Sequence, residues 1–174
     1  MSEQGLLDVL RRSGGLVAVA TQLDIAPPLA LAAATALLPM VRGGFRRRVE
    51  QADDLDAGLN DLLAWLAGLG GGTLASAVLQ NVAIAPEAGR ELVTGIFGPE
   101  QSAVAVTAAE LSQVDVDTVQ QVLPLLAMLA GGYVWARAGR MSPAERLAEL
   151  GPLLGLGDEP NPLDALTGIA DQRP

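Results

Sequence analysis

The sequence predicts an all-α fold, a multihelical bundle of two pseudo-repeated helical halves with proline-kinked central helices. Three observations carry this. Half of the residues are hydrophobic but only 3% are aromatic, so the apolar content is Leu, Ala and Val. Ala and Leu head the helix-propensity scale, whereas strands favour β-branched and aromatic residues. Helix caps recur along the chain, and no stretch alternates apolar and polar residues as a half-buried strand does. Finally, VAVATQLDIAPPLALAAATALLPMVRGGF (Val17–Phe45) is echoed by VAVTAAELSQVDVDTVQQVLPLLAMLAGGY (Val104–Tyr133). Each copy has a VAV-led short helix, a loop, and a helix with a Leu-Pro step and a Gly-Gly-aromatic exit.

Taken in order, Ser2 caps a short helix over Glu3–Arg12, which Gly14-Gly15 breaks. Leu16–Leu23 is a short apolar helix, and Asp24–Pro28 is a loop with prolines near the next first turn. A long helix runs from about Pro28 to Val49, and Pro39 removes its bond to Thr35 and kinks it. Phe45 and the basic run Arg46, Arg47 and Arg48 close that helix, where cations suit the macrodipole or an anionic headgroup. The acidic stretch Glu50–Asp61 reads as the start of a helix over Leu55–Leu69. Its Asp54, Asp56 and Asn60 lack the turn glycine and the bidentate Glu of a calcium loop. GLGGGT (Gly68–Thr73) has no Lys before its Thr, so it is no phosphate loop and reads as a flexible connection between the halves. Helices follow over Leu74–Val82, from Pro86 to Phe97-Gly98, and over Glu100–Ser112. Ser142-Pro143-Ala144-Glu145 is a capping box opening a short helix that Gly151 closes, and a weak last helix lies around Leu163–Ile169. Residues 1–140 form the helical domain, with 141–174 as a short-helix appendage outside the core.

The chain is organised around Asp115–Arg140. Asp115 caps it, with Thr118 three residues on. From Val122 to Ala136 the only polar side chain is Tyr133, so Leu125, Leu126, Met128 and Leu129 belong to a helix that is apolar all round. A surface helix keeps an apolar stripe and a polar back, so this one must be enclosed by its own chain, by another subunit or by lipid. As a helix Val122–Ala136 covers about 22 Å, short of the roughly 30 Å of a hydrocarbon core. Ile25–Val41 is uncharged, but Pro27, Pro28 and Pro39 interrupt it.

Composition removes several chemistries. The chain has no His, no Cys and no Lys, which takes away the commonest general base, the thiolate nucleophile and the usual soft metal ligands. No metal and no cofactor is expected, and the chain reads as non-enzymatic. A net charge of −9 argues against a nucleic-acid partner. Charged residues are only 18%, below the usual ~25%, which suggests that some surface does not face water. The N-terminal residues lack a basic start followed by an apolar run, so cytoplasmic synthesis without export is the expectation.

The segments GLLDVL, LLPMVRGG, GIFG (Gly95–Gly98) with the following VAVTAAEL, and VLPLLAMLAGGY resemble the YidB-like bacterial domain of unknown function over about Gly5 to Gly139. The resemblance implies an all-helical fold and brings no catalytic residues. Gly95 stands where that family often has His, and Met128 where it usually has a second Pro.

The functional expectation is a homo-oligomer that associates with membrane lipid through exposed apolar helix surface. Leu125, Leu126, Met128, Leu129, Tyr133, Trp135, Phe45, Arg46, Arg47 and Arg48 are the candidate lipid or subunit contacts. Ala127 and Gly131 permit close helix approach. Tyr133 and Trp135 with Arg137 and Arg140 beyond them suit an interfacial belt. The alternative is an interaction module offering a hydrophobic groove to a protein partner.

Overall fold

A computed structural model describes residues 3–80, 86–154, 156 and 163. Among them are α1 (Glu3–Arg12), α2 (Gly15–Leu23), α3 (Pro27–Glu50), α4 (Leu55–Leu69), α5 (Thr73–Leu79), α6 (Pro86–Phe97), a 3-10 turn (Gly98–Glu100), α7 (Gln101–Ser112), α8 (Val116–Ala138) and α9 (Pro143–Leu154). No strand occurs among the described residues, and the fold is all-α. The Ser2 cap, the end of the helix expected over Leu74–Val82 and all but Leu163 of the last expected helix lie outside the described residues.

Local chemistry sets the helix ends. Gly14 at φ 83° breaks α1 from α2, a conformation that costs glycine nothing. Asp54 Oδ1 accepts from the Ala57 N–H at 2.7 Å and starts α4, so the acidic run is a helix cap. Asp115 caps α8 in the same way, accepting from the Thr118 N–H at 3.0 Å and the Thr118 hydroxyl at 2.8 Å. Of the expected capping box, the Ser142 N–H donates to Glu145 Oε2 at 3.4 Å.

The two long helices form the centre of the bundle. Thirteen residues of α8 are buried, from Val119 to Ala138 and all round its axis. Helix α5 reaches α8 at Gly132, where a Cβ would lie 2.6 Å from the Ala75 nitrogen. Helix α6 meets α8 through Gly89, against Pro124 and Met128. The helical path continues through both Pro39 and Pro124.

A displacement of 89 residues, which the VAV echo does not mark, relates several positions of α2 and α3 to positions of α7 and α8. Asp24 and Gln113 are the non-glycine residues with positive φ among those described, and they stand 89 positions apart. Each caps a short helix two residues before a long one starts from Ala26 or Asp115. Displaced by the same 89 residues, eleven of the thirteen buried positions of α3 fall on buried positions of α8. In this register Pro39 corresponds to Met128, and Val17 to Val106, the two valines both exposed. The sequence echo aligns Val17 with Val104 instead, which is buried.

Four expectations change. The Gly68–Thr73 stretch is a compact turn, with the Gly71 N–H donating to the Leu66 carbonyl at 2.8 Å and the Trp135 indole lying over Gly71 and Gly72. Helix α9 passes Gly151 and Pro152 and ends at Leu154. It is no appendage, since Leu150, Leu153, Leu154 and Leu163 are at most 1% exposed within the same core. The buried Arg42 explains the extension, because it donates to the Leu153 carbonyl through Nε and to the Pro152 carbonyl through Nη2 at 3.1 Å. Finally, α3 and α8 extend past their uncharged stretches to 24 and 23 residues, long and apolar enough to cross a membrane by length and composition. Most of each apolar window is nevertheless buried in the bundle.

Candidate functional site

The candidate contact residues do not form one surface. Leu125, Leu126, Met128, Leu129 and Phe45 are all buried in the chain's own core, none above 5% exposed. Apolar residues all round α8 are therefore met by α3, α4, α5, α6 and α7 of the same chain. Gly131 and Gly132 serve that packing too, standing against Leu66 and Ala75. Trp135 is 36% exposed but covers the glycine turn. Tyr133 is half-buried.

The arginine run is engaged inside the molecule. Arg46 Nε lies 3.3 Å from Glu50, and Arg47 Nη1 donates to Glu100 Oε1 at 2.8 Å. Arg48 stacks 3.7 Å over the Trp65 ring and donates to the Gly95 carbonyl at 3.2 Å. Burial lowers the Arg48 pKa from its usual value, opposed by the field of Asp61. A headgroup contact by all three would have to break this set. Three consecutive cations leave a helix in three directions about 100° apart, so each met a different neighbour.

Two concave surfaces with apolar lining bear on function. The first, about 320 Å³, lies where α2 and α3 begin and is lined by Arg11, Leu16, Val17, Pro27, Pro28 and Leu31. Val17 is 59% exposed and Leu29, next to Pro28, is 42% exposed. Arg11, which lines it, shares the Asp8 carboxylate with Arg12, at 3.7 and 4.0 Å. The second, about 330 Å³, lies at the end of α8 between Tyr133, Ala136, Arg137, Arg140 and Met141. The sequence reading passed over the first groove. Its signal was present, because Val17 falls outside the buried stripe of Leu16, Val19 and Ala20 on α2 and the apolar Pro27-Pro28 step follows that helix.

No group of three or more Asp or Glu side chains suited to a metal occurs among the described residues. A family model described as a bacterial protein of unknown function (DUF937) matches residues 13–135. No curated protein and no solved structure matches the chain.

Proposed function

The chain belongs to this family of bacterial proteins of unknown function, DUF937, which includes the YidB-like domains, and we propose that it is a non-enzymatic helical interaction module that self-associates through the groove between α2 and α3. The observation carrying this is the groove itself. Leu16, Val17, Pro27, Pro28 and Leu31 line one apolar concavity, while the apolar surplus of α8 is used up inside the core. A second copy of the chain suits the groove by charge. Arg11 places a cation at its edge, and the chain as a whole carries −9. Closed assemblies of identical chains are the usual outcome of such contacts. The lack of His, Cys and Lys supports a non-enzymatic role. We also read the halves as pseudo-repeats, on the support of the 89-residue register.

Light scattering across a concentration series tests the reading. The expected result is a mass above one chain for the wild type and a single-chain mass for Val17→Asp, with unchanged helix content. A wild type at one chain mass throughout would overturn self-association. Lipid contact is a second reading, favoured by the length and composition of α3 and α8. Because both helices are mostly buried, it requires the surrounding helices to open.

A further inference from the structure

The pocket at the end of α8 has the chemistry of an anion site. Tyr133, Ala136 and Arg137 recur at helical spacing on one face of α8, and Arg140 and Met141, just past its end, complete the cavity. Arg137 Nη1 donates to the Tyr133 hydroxyl oxygen at 3.3 Å, which turns the hydroxyl proton away from Arg137 and leaves it to donate. The nearest acid, Glu149, lies 3.8 Å from Arg137 Nη2 and is more than half exposed, too far for a hydrogen bond. Arg137 Nε is buried and has no hydrogen-bond partner among the described residues. Arg140 is exposed and makes no ion pair among them.

A helix C-terminus carries partial negative charge and ordinarily repels an anion. Here that end is already covered. The Gly139, Arg140 and Met141 N–H groups donate to the carbonyls of Trp135, Arg137 and Ala138, and Arg146 Nε donates to Ala138 as well. The two guanidinium groups therefore outweigh what remains of the dipole.

We propose that Arg137, Arg140 and Tyr133 bind the phosphate group of a phosphate ester, whose organic part lies against Ala136 and Met141. Guanidinium forks match phosphate oxygens in paired hydrogen bonds, and the cavity of about 330 Å³ leaves space beside the phosphate. The ester is either a small soluble molecule or a lipid headgroup. The site is separate from the α2–α3 groove and does not depend on self-association.

The test titrates wild type with inorganic phosphate and with glycerol 3-phosphate, at ionic strength matched by chloride, following arginine and tyrosine side-chain resonances. Co-sedimentation with phosphatidylcholine vesicles, with and without phosphatidylglycerol, runs in parallel. Saturable shifts at Arg137 and Arg140 with either soluble probe support the site and assign it to soluble phosphates. Co-sedimentation only with phosphatidylglycerol supports it and assigns a lipid headgroup. In either case Arg140→Gln, at an exposed position, weakens binding about tenfold or more, as expected for a lost charged hydrogen bond. Tyr133→Phe, which keeps the ring, weakens it less. Equal binding by wild type and Arg140→Gln, or no response to any probe beyond that to chloride, would overturn the proposal.

Discussion

The Trp65 indole fills the space that a side chain at residue 95 would occupy. A Cβ on Gly95 would lie 2.3 Å from Trp65 Cζ2 and 2.7 Å from Cη2. Arg48 covers the indole and is itself tied to the Gly95 carbonyl. The three residues bring α3, α4 and α6 together.

Substitution at this contact should be costly in a specific way. Gly95→Ala overpacks the site and is expected to cost roughly 1–3 kcal/mol in chemical denaturation. Gly95→Ala combined with Trp65→Leu should recover most of that loss, because the ring is what the new methyl meets. A double-variant loss equal to the sum of the separate losses of Gly95→Ala and Trp65→Leu would show that the two residues are not coupled.

The fold was legible because caps and breakers act locally. Gly14, Asp54 and Asp115 each set a helix end with groups a few residues away, and such spacing is visible in a sequence. The course of α9 was not, since Gly151 and Pro152 both argue for an ending. What keeps them helical is Arg42, distant in sequence, holding the Pro152 and Leu153 carbonyls. The same limit applies to the candidate contacts. Apolar residues all round α8 showed that it must be enclosed but carried no sign of what encloses it. That answer lies in the small residues of other elements, such as Ala75 and Gly89, which let α5 and α6 approach. The arginines after Phe45 looked like one basic patch because adjacency along a chain is not adjacency in direction.

Arg42 should act as the latch of α9. Arg42→Met keeps a long apolar stem but leaves the buried Leu153 carbonyl and the partly buried Pro152 carbonyl without their charged donor, an expected loss of about 2–4 kcal/mol. Because the lost bonds are local to α9, cleavage by a protease between Gly139 and Ser142 should speed up before global unfolding does. Unchanged proteolysis alongside unchanged stability would show that α9 is held by its leucines alone.

The start of α8 should respond to acid. Hydrogen bonds from the Thr118 hydroxyl and N–H hold the Asp115 carboxyl below the usual aspartate range. A carboxyl with a depressed folded pKa stabilises above its unfolded pKa, and that stabilisation is lost as pH falls through the folded value. Protection of the Thr118 amide, taken relative to its intrinsic exchange rate at each pH, should therefore fall across that acidic window. Asp115→Asn keeps an acceptor for the cap but has no proton to gain, so it should remove this pH dependence. A pH dependence that persists in Asp115→Asn would place its origin elsewhere.

The last prediction separates a core helix from a lipid-facing one. Leu126 and Leu129 are 0% and 1% exposed, and Leu129 also packs against Gly15 at the start of α2. Leu126→Ala removes buried methyl groups and leaves a cavity, so it should cost roughly 2–5 kcal/mol. Leu129→Asp places a carboxylate among apolar groups, where burying an unpaired charge is far more costly, and circular dichroism should show loss of the folded helix content. Both losses should appear without lipid, since the partners of these side chains belong to the same chain. Vesicle co-sedimentation on the same samples completes the comparison. A Leu129→Asp variant that keeps full helix content and stability while losing association with vesicles would overturn the enclosed placement of α8, because only a helix face turned outward could accept that charge.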